Sequence, residues 1–71
     1  MFVELKQRLY HNGGYINTDI AFAVDEISRV VECKDDYRCT NIVTKDGEIH
    51  TIPERYSDVM KKILEVEEVE E

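Results

Sequence analysis

The sequence predicts an α+β fold: a small antiparallel β-sheet of four to five strands covered by one C-terminal helix. Three observations predict it. The opening stretch FVELKQRL places Val3, Leu5 and Leu9 at period two, the pattern of a half-buried strand. Asp46-Gly47 stands between two β-rich runs, where glycine supplies the left-handed conformation of a hairpin turn. After Pro53, apolar residues recur at helical spacing, so the chain ends in an amphipathic helix. A sheet with one apolar face needs a cover, and this helix supplies it.

The elements follow in order. Residues 2 to 9 form the first strand. His11-Asn12-Gly13-Gly14 is a turn, because Asn and Gly tolerate positive φ, and Tyr15-Ile16-Asn17 begins a short return strand. Residues 18 to 33 are ambiguous. Ile20, Val24, Ile27 and Val31 fit a helix over 19 to 30, with Thr18 or Asp19 as its cap. The β-branched content of Ile27, Val30 and Val31 favours an irregular or strand piece at 20 to 24 and a strand from 27 to 34. Residues 38 to 44 and 48 to 52 form the second hairpin around Lys45-Asp46-Gly47. Thr51-Ile52-Pro53-Glu54 reads as a capping box, with Pro53 tolerated in the first turn. Tyr56, Val59, Met60, Ile63, Leu64 and Val66 then share one helix face. One domain is expected over residues 1–66. Residues 67–71 should be a frayed acidic tail, because glutamates crowd there at the wrong end of the helix dipole.

Cys33 and Cys39 bracket KDDYR. A short loop over Asp35 to Tyr37 makes Lys34 face Arg38 and Cys33 face Cys39, within reach of a disulfide. No stretch approaches the ~20 apolar residues of a membrane span, and the N-terminal segment lacks the hydrophobic block of a signal peptide. The expected compartment is cytoplasmic, with no membrane association. Both thiols are expected to stay reduced there, as small apolar residues. A regulatory disulfide is the alternative. Zinc is a third reading, since His11 and His50 complete a Cys2His2 inventory. Their separation of 39 residues and the wide cysteine spacing fail the usual ligand pattern.

Charge narrows the functions. The chain of 71 residues carries a net charge of −7, with 16 acidic and 9 basic residues. Only Lys61 and Lys62 are adjacent cations, so the clustered positive field that phosphates require is absent and direct nucleic-acid binding is not expected. Neither histidine stands in a nucleophile motif. Gly13-Gly14 lacks the context of a phosphate loop. Asp25-Glu26 and Asp35-Asp36 are sequence neighbours, which makes poor acid/base pairs. No catalytic residue and no cofactor are predicted.

The pieces FVEL, YINTDI, TNIVTKDGE and RYSDVMKKI resemble, in their order, the small flagellar and swarming-motility proteins of the FlbD type. The resemblance covers about three quarters of the chain. It departs at residues 29 to 39, which are extra, and at Ile52-Pro53-Glu54, where the family tends to carry Val-Lys-Glu. It implies no catalytic residue. A short, acidic, single-domain chain is also similar in style to phage-encoded accessory proteins.

The reading that follows is a non-enzymatic protein–protein interaction module, a regulator or adaptor that self-associates, since domains this small gain stability from a partner chain. Tyr10, Tyr15, Phe22, Tyr37 and Tyr56 are its predicted contact residues, as aromatic side chains that one helix cannot cover. A second reading is an inhibitor that mimics nucleic acid through an acidic surface of Asp25, Glu26, Asp35, Asp36, Glu65, Glu67 and Glu68. A third is a small ligand-binding oligomer with a site between subunits.

Overall fold

A computed structural model describes residues 1–69, with side-chain surroundings given as far as Val66. Five antiparallel strands and one C-terminal helix make a small α+β fold, as expected. The strands divide into two sheets rather than one: β1 (Phe2–His11) with β2 (Gly14–Ala23), and β3 (Ile27–Glu32), β4 (Thr40–Thr44) and β5 (Ile49–Ile52) in that order. The helix α1 spans Tyr56–Val69.

The first hairpin is longer than the sequence suggested. Asn12 and Gly13 take φ of 51° and 80°, the two positive values of a turn whose twist matches the flanking strands. From there the register runs without interruption from His11↔Gly14 to Phe2↔Ala23. The helical alternative over 19 to 30 is therefore not adopted. Its Ile20 instead pairs with Leu5, and Phe22 with Val3, so apolar residues at period two outweigh those at helical spacing. Only Val24–Glu26 coils, as one 3-10 turn between the sheets. The Val24 amide donates to the Met1 carbonyl at 3.1 Å, and the Lys45 amide to that of Glu26 at 2.9 Å.

The cysteine hairpin has the expected register. Glu32 faces Thr40, the Cys33 amide donates to the Cys39 carbonyl, and the two cysteines face each other with Cα atoms 5.5 Å apart. They are joined as a disulfide. This corrects the expectation of two free thiols: antiparallel pairing brings the sulfurs within bonding range, and compartment was the sole ground for keeping them apart. The β4–β5 turn closes as predicted. Gly47 takes φ 91°, and the Asp46 carboxylate accepts hydrogen bonds from the Thr44 hydroxyl and the Glu48 amide.

The capping box does not form. The Thr51 hydroxyl donates to Asn41 Oδ1 at 3.0 Å across the sheet, and Ile52 remains in β5 as a core residue. The helix starts at Tyr56, after a bend whose Glu54 carbonyl accepts the Thr40 hydroxyl at 2.7 Å. Thr40 is wholly buried, so this bond satisfies a hydroxyl that water cannot reach. Glu54 is held by Lys62 Nζ at 2.9 Å. Asp58 lies in the first turn, where the helix dipole favours it.

Val3, Leu5 and Phe22 of the first hairpin pack with Ile42, Ile52, Val59 and Ile63. This is the core, and it lies where the base of the hairpin crosses the second sheet under the helix. Met60 and Val66 flank it, whereas Tyr56 and Leu64 of the predicted helix face are exposed. Of the expected frayed tail, residues 67–69 continue α1, and residues 70–71 lie outside the described residues. Among the described residues no helix is long and apolar enough to cross a membrane.

Candidate functional site

The β1–β2 hairpin carries two unlike halves, because alternate residues share a face. One face bears Val3, Leu5, Gln7 and Leu9, opposite Phe22, Ile20, Thr18 and Ile16. Its base is core. Its midpoint is fixed to the second sheet by Gln7 Oε1, 3.1 Å from His50 Nδ1, while the Phe22 ring meets the His50 ring edge-on at 5.1 Å. Beyond Gln7 the described residues cover it only in part. Leu9 and Ile16 are 42% and 44% exposed. On the opposite face Tyr10 and Tyr15, at 70% and 69% exposure, pack edge-to-face on each other 5.6 Å apart. The Arg8 guanidinium lies 5.7 Å from the Tyr15 ring centre. The end of the hairpin is thus an arm, apolar on both faces, beyond the core. The long axis of the molecule, 44 Å against 21 and 20 Å, reflects this shape.

The predicted contact residues are not one patch. Tyr10 and Tyr15 meet at the arm tip. Phe22 does not join them: it is 5% exposed and belongs to the core, because its even position on β2 shares the inward face with Ile20. Tyr37 is exposed on the β3–β4 loop, with the Arg55 guanidinium 5.3 Å from its ring centre. Tyr56, one residue on, borders a shallow hollow of about 300 Å³ between β3 and α1. Leu9 and Ile16 were missed, although both continue the period-two pattern of the core residues.

The acidic residues are also dispersed. Asp25 and Glu26 precede β3 and Asp35 and Asp36 follow it, so six residues of strand separate the pairs by about 20 Å. Asp36 caps its own turn. The Arg38 amide donates to it at 2.9 Å and holds its carboxyl below the ordinary value, with the guanidiniums of Arg38 and Arg8 adding to the effect. Glu65 lies elsewhere, lining an apolar hollow of about 660 Å³ with Met1, Phe2, Lys62 and Val66. Glu67 and Glu68 lie outside the described side chains.

Among the described residues no three His, Cys, Asp or Glu side chains converge to hold a metal. The carboxylates with displaced pKa values are Asp36 and Asp46, both lowered by hydrogen bonds within exposed turns. Lowering keeps them ionised and engaged in their turns, the opposite of what a general acid requires. The geometry offers an extended surface on a long hairpin. No family model matches the chain, and neither the curated proteins nor the solved structures compared with it include a match.

Proposed function

We propose that the chain is a non-enzymatic protein–protein interaction module, a small regulator or adaptor, whose docking element is the β1–β2 arm. The observation that carries this reading is the bare arm tip: Leu9, Tyr10, Tyr15 and Ile16 are all exposed at one end of a hairpin whose other end is core. Tyrosine is suited to such contacts, since it offers a large apolar body and a hydroxyl that tolerates water. The Tyr10–Tyr15 and Arg8–Tyr15 contacts hold these rings in place before any partner arrives, which reduces the entropy lost on docking. The resemblance to FlbD-type proteins is compatible with this reading, because it implies no catalytic residue.

The test is the pair of substitutions Tyr10→Ser and Tyr15→Ser in the full chain. Both side chains are exposed, so the melting temperature should hold within a few degrees. The arm's self-association and its capture of other proteins should both fall. Retention of both by a folded double variant would refute the assignment.

A further inference from the structure

We infer that the partner of the arm is a second copy of this chain, docked by antiparallel pairing of β2 with β2. The inference rests on the arm being the docking element and names its occupant. The two sheets meet through β1 and β5, where Gln7 reaches His50, which leaves β2 and β3 as outer strands. Outer strands expose unpaired amides and carbonyls, and proteins normally blunt them with shortness, bulges, charge or proline. β3 is blunted: it has six residues, a bulge between Ile27 and Arg29, an edge arginine, and Cys33 clasped at its end. β2 has one of these devices, a lone charge. It runs for ten residues without a bulge, has no proline and no lysine, and bears Asp19 as its single charge. A strand left open in a protein that closes its other edge is built to pair.

Charge permits this occupant. Residues 1–23 contain Glu4 and Asp19 against Lys6 and Arg8, so the arm is neutral. The whole net charge of −7 therefore lies on residues 24–71. A basic partner is drawn to that part of the molecule rather than to the arm. A second copy carries the same charge, but antiparallel pairing of two neutral arms sets the acidic bodies toward opposite ends of the ladder, and salt screens repulsion beyond about 10 Å.

Hydrogen-bond phase then selects the register. A two-residue turn makes His11↔Gly14 a hydrogen-bonded pair. By alternation Ile16, Thr18, Ile20 and Phe22 pair with β1, and Tyr15, Asn17, Asp19 and Ala21 point their amides and carbonyls outward. A two-fold axis at Thr18 sets Asn17 opposite Asp19 of the second copy, Tyr15 opposite Ala21, and Ile16 opposite Ile20. All four outward residues of both strands are used, for about eight new hydrogen bonds. The bare Ile16 of one arm gains the half-buried Ile20 of the other as its neighbour. Sliding one pair in one direction sets Asp19 against Asp19, and sliding the other way shortens the ladder and sets Tyr15 against Asp19.

Native mass spectrometry and sedimentation of the purified full chain test this, with three variants at outward or axial positions. The wild type should be a dimer. Asn17→Asp sets like charges together across the axis and should weaken the dimer at least tenfold, whereas Asn17→Lys faces Asp19 and should keep or tighten it. Thr18→Cys lies on the axis in a non-hydrogen-bonded pair, where Cα atoms about 4.5 Å apart permit a disulfide. It should give a covalent dimer under mild oxidation, with Cys33–Cys39 intact by peptide mapping. A dimer indifferent to both Asn17 charges and not cross-linked by Thr18→Cys overturns the inference. So does a monomer. A monomer whose β2 amides become protected from hydrogen exchange when another protein binds leaves the arm as the docking element and removes only the second copy. A monomer whose arm is protected under no condition removes both.

Discussion

The disulfide between Cys33 and Cys39 should be one of the larger single contributions to stability. It closes a loop of six-residue separation. In the chain-entropy treatment a loop of that size removes about 8 cal/mol/K from the unfolded ensemble, or about 2 kcal/mol at 25 °C. A domain of this length holds only a few kcal/mol in reserve, and each kcal/mol moves its midpoint by roughly 4–8 °C. Reduction should therefore lower the melting temperature by roughly 10 °C. The assay is urea denaturation of the oxidised and the reduced chain, followed by circular dichroism. The reduced form keeps both sulfur atoms in place, so the comparison isolates the bond. Cys33→Ala/Cys39→Ala should cost somewhat more, because Cys39 is buried and its sulfur fills space in the interior. The denaturant dependence should also steepen on reduction, since the released unfolded chain exposes more surface. Equal midpoints before and after reduction would refute the reasoning, and would mean that the Asp36–Arg38 turn alone fixes this hairpin.

Three further outcomes are expected. Ile42→Ala removes a fully buried side chain from the middle strand of the second sheet, should cost about 2–5 kcal/mol, and should leave little folded protein by thermal melt. Thr40→Val deprives the half-buried Glu54 carbonyl of its donor and should cost about 1–3 kcal/mol, read as a loss in urea midpoint with unchanged slope. The Asp46 carboxyl, lowered first by the Thr44 hydroxyl and then by the Glu48 amide, should titrate below its ordinary 3.8 in an NMR pH series. A depressed folded pKa stabilises above the unfolded pKa and stops doing so as pH falls through the folded one. The β4–β5 turn should therefore loosen only in strong acid, and Asp46→Asn should remove that acid dependence.

Local chemistry was legible wherever a residue has one conformational use. Asn12-Gly13 and Asp46-Gly47 announced their turns because few other residues accept positive φ. Cys33 and Cys39 announced their register because only one hairpin brings them face to face. Thr51 misled, because its hydroxyl had two partners to choose from: the Glu54 amide of a helix start, from which it would accept, and Asn41 Oδ1 on a neighbouring strand, to which it donates and which sequence spacing does not reveal. Ile20, Val24 and Ile27 left a helix open as the alternative to the favoured strands, and the strands form because a ten-residue ladder with β1 outweighs a helix that few local contacts would hold. The site divided in the same way. Tyr10 and Tyr15 could be placed because they flank a turn. The burial of Phe22 and the exposure of Leu9 and Ile16 depend on where the second sheet ends beneath the hairpin, a tertiary fact.

The order of synthesis gives the long hairpin a further property. Residues 2–23 are complete before any residue of the second sheet or of α1 has been added. Hairpins close in about 1–10 μs, whereas elongation proceeds at about 5–20 residues per second. Until the second sheet and α1 pack on it, the hairpin is a two-stranded ribbon with its inward face bare, a state that is marginal in water. Its persistence then depends on contacts made entirely within itself. The Asn12-Gly13 bend and the Tyr10–Tyr15 ring pair next to it are such contacts, so the same two tyrosines that await a partner in the folded chain hold the hairpin together before the second sheet packs on it.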